Sequence, residues 1–251
     1  MTQSCELIFG IHAVFSALRN DSANVQELRV DRSRRDTRLR ELRALALTLN
    51  ITLLEVDTKL LDRQAPGQRH QGVIALYRAA PALDETALTA LLKDIERPLL
   101  LALDGITDPH NLGAILRTTE AAGAHAIIVP KDRAAGINPT VRKIACGAAE
   151  RLPFMQVTNL ARTLRSLKDK GLWLIGMDEA AAPSLYELDL TRPLALIVGA
   201  EGTGLRRLTR ELCDFIAQIP MAGAAQSLNV SVAAGVCLFE IRRQRQARPL
   251  V

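Results

Sequence analysis

The strongest constraint on this chain is a series of short, unbroken apolar runs, each followed by a loop of polar or small residues. Leu99–Leu103, Ala126–Val129, Leu172–Gly176 and Leu194–Val198, with Phe215–Ile219 interrupted only by Gln218, each have the length of a strand, and longer segments of helical character separate them. A strand with one wet face alternates polar and apolar residues, whereas a continuous apolar run predicts burial on both faces. The pattern therefore predicts an α/β fold from about Pro98 onward, a parallel sheet covered by helices, one of them Leu112–Ala122 ending at Gly123. Such sheets bind ligands in the loops beyond the carboxyl ends of their strands.

The residues before Arg78 have a different texture. Gly10–Leu18 predicts a helix with Ile11, Val14, Phe15 and Leu18 on one face. Val25–Val30, Ile51–Val56 and Gly72–Tyr77 read as strands, and Asp36–Leu49 as a helix rich in arginine. Leu60–Gln71, broken by Pro66 and Gly67, reads as a loop. The expected organisation is a small α/β domain over 1–78, a linker over 79–97 that includes a helix near Asp84–Glu96, and the parallel-sheet domain over 98–251. A chain of 251 residues, 48% hydrophobic, has enough apolar material for two modest cores.

Composition narrows the function classes. The four cysteines (Cys5, Cys146, Cys213, Cys237) are scattered, with neither metal-ligand nor disulfide spacing, which points to the cytoplasm and to no metal. No run is long enough to span a bilayer, and Glu6 breaks any resemblance to a signal peptide, so no membrane association is expected. A net charge of +5 and a pI near 9.3 favour a polyanionic partner. Between Arg32 and Arg43 lie six arginines (Arg32, Arg34, Arg35, Arg38, Arg40, Arg43) against only Asp36 and Glu41; a solvated helix face is the plain alternative. With 3% aromatic residues, recognition by base stacking is not expected.

Three loops carry the chemistry: Asp104–Asn111 (DGITDPHN), Gly199–Leu205 (GAEGTGL) and Ile219–Asn229 (IPMAGAAQSLN). Glycines in the second permit positive φ and close approach of backbone amides to a flat ligand. Their order, G-x-x-G-x-G, is the reverse of the dinucleotide fingerprint, which argues against a nicotinamide oxidoreductase. In the third, Ser227 and Asn229 precede a helix, where such residues cap. The small residues Ala222–Ala225 beside a glycine loop leave room for an adenosyl group.

Taken together, the three loops resemble the signature motifs of the SpoU branch of the SPOUT methyltransferases, which methylate the ribose 2′-oxygen of RNA. Asn111, Gly113 and Arg117 match the first motif, and Gly199, Glu201 and Gly204 the second. Pro220, Met221, Gly223 and Ser227–Ala233 match the third, with Gln226 a departure where relatives often carry serine. FGIHAV (Phe9–Val14) and HQG (His70–Gly72) resemble the family's N-terminal substrate-binding extension, whose fold is similar to the ribosomal protein L30e. VPKDR (Val129–Arg133), ACGAAE (Ala145–Glu150) and VTNLART (Val157–Thr163) extend the likeness over nearly the whole chain.

The resemblance implies a deep trefoil knot in the C-terminal domain, against the general rule that chains do not thread their own loops. It implies S-adenosylmethionine as cofactor, held near Gly199, Gly202, Gly204, Ile219, Met221 and Leu228. It implies a homodimer acting on a guanosine ribose in the peptidyl-transferase P-loop of 23S ribosomal RNA or of a ribosome assembly precursor. Transfer RNA as substrate, or a non-catalytic RNA-binding protein, are the alternatives. By the same likeness Arg117 is the residue that activates the ribose hydroxyl. A guanidinium loses its proton only near pH 12.5–13.8, so orienting a phosphate and stabilising the developing alkoxide is the sounder role. Asn111 would position the ribose or the arginine, Glu201 would orient Arg117 or Asn229, and Ser227 and Asn229 would line the place where hydroxyl meets methyl. His110 ranks below Arg117 as a base. Arg32, Arg34, Arg35 and Arg38 would contact RNA phosphates, with His12 and His70 as RNA contacts or packing residues.

Overall fold

In the computed structural model, residues 5–78, 83, 85–224 and 227–248 are described. They form two compact units, one of residues up to Pro81 together with Ile137–Arg151, the other of Ala82–Gly136 together with Leu152 onward. The domain boundary read near Arg78–Asp84 falls largely outside the described residues, as does Gln226.

The first unit runs β1 (Cys5–Phe9), α1 (Ile11–Asn20), β2 (Val25–Asp31), α2 (Thr37–Thr48), β3 (Thr52–Val56), α3 (Thr58–Gln64) and β4 (Val73–Arg78). Its sheet has the order β1-β4-β2-β3, antiparallel except for the β2–β3 pair. On β4, Val73, Ala75 and Tyr77 join the core beneath α1 and α2, while Ile74 on the opposite face packs with Leu61 and Ala65 of the α3 segment. The segment read as a loop from Leu60 thus begins as a helix. Pro66 and Gly67 end it rather than preclude it, and Leu61 is fully buried.

The second unit opens with α4 (Glu85–Leu92), β5 (Leu99–Asp104), α5 (Pro109–Ala121) and β6 (Ala126–Pro130). The chain then contributes α6 (Pro139–Ala145) and α7 (Ala148–Arg151) to the first unit. There Arg142, 6% exposed in its side chain, bonds Glu150 at 2.8 Å and lies over the Tyr77 ring. This buried cluster is why a piece of the range read as the second domain packs with the first. Burial pushes the Glu150 carboxyl up, with Arg142 opposing.

Back in the second unit come β7 (Phe154–Val157), α8 (Leu160–Asp169), β8 (Trp173–Met177), β9 (Leu194–Gly199), α9 (Arg207–Leu212), β10 (Phe215–Ala217) and α10 (Val230–Ala247). The six strands are all parallel, in the order β10-β8-β9-β5-β6-β7. Every residue of β5, β6 and β9 is buried, as continuous apolar runs demand. Asp104 and Gly199 are register partners, so the first two chemistry-bearing loops leave the sheet at the same level. The chain leaves β5 toward β6 and leaves β9 toward β10, in opposite directions, which opens a crevice between the loops.

The last helix is tied to the amino ends of the two central strands, opposite the chemistry-bearing loops. Arg245 donates to the carbonyls of Arg97 (2.8 Å), Pro98 (3.1 Å) and Arg192 (2.7 Å), at the starts of β5 and β9. Burial lowers its pKa to about 10, with Arg97 adding to the shift.

Candidate active site

Asp108 sets the start of α5. Its side chain accepts from the His110 amide at 2.9 Å, and Pro109 occupies the first helical position. The helix thus begins three residues earlier than the apolar pattern alone predicts, and Asn111 sits in its first turn. The His110 side chain enters no described hydrogen bond.

The Gly199–Leu205 loop folds back as a tight hairpin. The Gly204 amide donates to the Ala200 carbonyl at 2.9 Å, with Gly202 at φ +75° and Gly204 at φ +61°. A Cβ placed on Gly199 would lie 2.1 Å from the Gly204 carbonyl carbon, so only glycine fits. Leu205 then anchors the loop in the core. At the end of β5, the buried carboxylate of Asp104 accepts from the Arg206 amide at 2.9 Å and lies 3.4 Å from its guanidinium. That clasp between two loops was not read from the sequence. The marker available was an acid closing an otherwise wholly apolar strand.

A cavity of about 480 Å3 lies at the carboxyl ends of β8, β9 and β10. All six residues expected to hold the cofactor (Gly199, Gly202, Gly204, Ile219, Met221, Leu228) line it, as do Glu201, Ser227 and Asn229. Asp178 and Glu179 of the β8 loop also line it and were not anticipated. Asp178 is held by an ion pair with Arg210. The size falls within the 300–1,000 Å3 or so common to small-molecule sites, and the glycine wall lets backbone amides and carbonyls face the interior.

At the cavity mouth three side chains form one network. Asn229 donates from Nδ2 to Glu201 Oε1 (2.8 Å) and to Asn111 Oδ1 (3.0 Å), and its Oδ1 accepts from the Ser231 amide (2.9 Å) and hydroxyl (2.6 Å). Glu201 Oε1 also accepts from Asn111 Nδ2 (3.3 Å) and from the Val230 amide at the first turn of α10 (3.3 Å). An asparagine offers two donors and two lone pairs. Those of Asn229 are all used, so it positions its neighbours. Asn111 keeps one donor and one lone pair for a substrate.

Arg117 is exposed and lies six residues along α5 from Asn111, about 120° round the helix at 3.6 residues per turn. It does not line the cavity of its own chain. Neither Cys213 nor Cys237 offers a nucleophile, because burial pushes both thiols up to about 12. Among the described residues no cluster could hold a metal ion, and no helix is long and apolar enough to cross a membrane.

The arginine run of the first unit divides. Arg43 is structural, donating to the Asp31 carbonyl at 2.8 Å and the Arg34 carbonyl at 3.2 Å. Arg32, Arg34, Arg35 and Arg38 are not buried; Arg32 pairs with Asp57, Arg34 with Asp36, and Arg38 donates to His12 Nε2 at 3.1 Å. His70 belongs to the packing alternative. It is buried, accepts from the Gly72 amide at Nδ1 and bonds Asp62 through Nε2. Gln71, beside it, caps α1 by accepting from the Ile11 amide at 3.1 Å. The FGIHAV and HQG segments are therefore one structural clasp.

A glycine-walled cavity beyond β8, β9 and β10, joined by a polar network to the loop after β5 at the switch point of an all-parallel sheet, defines a cofactor-dependent enzyme of the α/β class. Residues 98–239 match the SpoU rRNA Methylase family and residues 7–82 match the RNA 2′-O ribose methyltransferase substrate binding domain, so the chain belongs to the SpoU family of methylases. It is 53% identical over 97% of its length, and 99% of the relative's, to the 23S rRNA (guanosine-2′-O-)-methyltransferase RlmB of Photobacterium profundum. The RlmB protein of Pseudomonas aeruginosa is 54% identical over 96% of this chain and 97% of its own. Among solved structures, the SpoU methyltransferase AviRb from Streptomyces viridochromogenes, in complex with AdoMet, superposes with a TM-score of 0.80 at 29% identity, covering 97% of this chain and 91% of that one.

The network sets a graded expectation. Glu201→Gln keeps an Oε1 acceptor for Asn111, Asn229 and Val230 but removes the charge, and should lower kcat about tenfold. Glu201→Ala frees both asparagines and one helix amide and should lower it about 100-fold. Equal losses in steady-state assays of the two variants would show that charge, not the shared acceptor, is what matters.

Proposed function

We propose that this protein transfers a methyl group from S-adenosylmethionine to the ribose 2′-hydroxyl of a guanosine in the peptidyl-transferase P-loop of 23S ribosomal RNA. The observation that carries the reading is the Asn229–Glu201–Asn111 network, which sets a half-free asparagine at the mouth of a glycine-walled cavity. Full-length likeness to proteins named 23S rRNA (guanosine-2′-O-)-methyltransferase supports a guanosine of 23S RNA as the substrate.

The cofactor, when bound, supplies an electrophilic methyl on a sulfonium; the chain's own residues do the rest. Backbone groups around Gly199, Ile219 and Leu228 would hold the adenosyl part. Asn229, locked by Ser231, holds Asn111 so that its free donor or lone pair orients the ribose hydroxyl. Positioning of this kind is worth up to about 7–11 kcal/mol of barrier. Arg117, reaching the cavity of a second subunit in a homodimer, stabilises the alkoxide that develops as the hydroxyl proton passes to solvent and the O–CH3 bond replaces the S–CH3 bond. Ser227 lines the same mouth. Residues 1–78 hold the RNA through Arg32, Arg34, Arg35 and Arg38, with His12 beside Arg38, and 98–251 carries the transfer, its last segment threaded in the family's knot. The work takes place in the cytoplasm, on ribosomal RNA or an assembly precursor.

The test is methyl transfer from labelled cofactor to 23S and transfer RNA, with the product mapped by ribose-methylation-sensitive primer extension. A single stop in the P-loop supports the assignment. Label in transfer RNA overturns the substrate and keeps the chemistry.

A further inference from the structure

The second unit carries an exposed basic rim that the reading so far leaves unused. Strand β6 ends at Pro130, and the next three residues, Lys131, Asp132 and Arg133, are all exposed. The loop they begin is pinned at both ends. The Lys131 amide donates to the Val157 carbonyl at 2.8 Å, and the Ala135 amide to the Ile106 carbonyl at 2.7 Å. Between these pins Arg133 holds a left-handed backbone, φ +57°, which a non-glycine residue adopts at a cost. Such strain gathers where function needs a side chain aimed in one direction.

The rim lies against the active-site loops. A Cβ placed on Gly105 would lie 4.0 Å from the Arg133 carbonyl, 3.8 Å from Ala200 Cβ and 3.4 Å from the Arg206 guanidinium. Gly105 follows Asp104 and leads to Asn111 in the same loop, while Ala200 precedes Glu201. The loops after β6, β5 and β9, neighbours in the sheet, therefore meet at one point beside the Asn111–Glu201 network. No described acid pairs with Lys131 or Arg133. The exposed charges of these three loops are Lys131, Arg133 and Arg206 against Asp108, Asp132 and Glu201; Asp108 caps α5, Glu201 is engaged by the two asparagines, and Asp104 is buried beneath Arg206.

We infer that Lys131 and Arg133, with Arg206, form a phosphate-binding rim of the catalytic unit that grips the RNA backbone next to the nucleotide being methylated. The inference rests on the proposed activity and deepens it. A ribose presented to Asn111 brings its own flanking phosphates to the loop edge, where pinned cations fix its register without reading bases. This contact is separate from the arginines of the first unit.

The test compares wild type with Lys131→Ala/Arg133→Asn, asparagine being tolerant of the left-handed backbone, and with the charge-keeping pair Lys131→Arg/Arg133→Lys. RNA affinity is read by direct titration of a 23S transcript at several salt concentrations, alongside the KM for that RNA and the affinity for S-adenosylmethionine. The neutral pair should bind RNA and raise its KM about tenfold, with the slope of log affinity against log salt shallower by about 1–2. Cofactor affinity should hold, and the charge-keeping pair should restore RNA binding. Unchanged RNA affinity and slope in the neutral pair, with cofactor still bound, overturns the rim, as does equal damage by both pairs. Wild-type protein that binds the RNA yet transfers no methyl overturns the activity instead, while the salt slopes still decide the rim.

Discussion

Arg117→Ala should lower kcat about 1,000-fold, the 2.7–4 kcal/mol or so typical of losing one preorganised donor to a developing oxyanion, while leaving S-adenosylmethionine affinity unchanged. The second half of that expectation follows from placement: Arg117 is exposed on α5 and absent from the cavity lining of its own chain. The first half requires a cavity on another subunit. Mixing Arg117→Ala with Gly199→Ala protein decides the point. If each site combines the arginine of one subunit with the cavity of its partner, mixed dimers contain one intact site, and random exchange should restore roughly a quarter of wild-type turnover. No recovery on mixing would place arginine and cavity in the same subunit.

Gly199→Ala itself should abolish measurable cofactor binding. The added methyl would meet backbone only, 2.1 Å from Gly204 C, 2.2 Å from its oxygen and 2.5 Å from the Leu205 amide. Backbone cannot rotate away as a side chain can, so the hairpin must leave the cavity wall or drag Leu205 from the core. Overpacking of this order costs about 1–3 kcal/mol, which should also lower Tm by about 5 °C in a chain of this size. Gly202→Ala is the matched control. Its φ of +75° makes alanine strained, but nothing lies within 4 Å of the new Cβ. Isothermal titration that found the two variants equally able to bind would mean that the cavity wall is not the cofactor's seat.

The parts of this architecture visible in the sequence are those governed by local burial. Leu99–Leu103 and Leu194–Val198 read as buried strands because both faces are covered, and both are. Strand β1 escaped because Cys5 and Glu6 open it and its partner β4 is distant in the chain, Cys5 pairing with Arg78, 73 residues on. Strand β7 has four residues, one of them Gln156, too few to show a period. At the site, residue identities came from the motifs, but the wiring did not. Glu201 could have turned to Arg117 or Asn229, and the structure joins it to Asn229 and Asn111. That Asn229 is saturated and Asn111 is not follows only from counting bonds in three dimensions. His70 shows the reverse limit, since a histidine in a loop gives no local sign that Asp62 and the Gly72 amide will enclose it.

The Arg245 clamp has a consequence for how the molecule comes into being. Its acceptors at Arg97, Pro98 and Arg192 precede it by 148, 147 and 53 residues, so they leave the ribosome long before the guanidinium that gathers them. Closing such distant contacts is entropically slow and comes late. The paired strands β5 and β9 must wait, with one end unfastened, until the final helix is released. A chain truncated after Asn229 should therefore show no cooperative unfolding of the second unit on calorimetry. A protein whose proposed task is to finish the ribosome would be unable to finish its own fold until a ribosome has let it go.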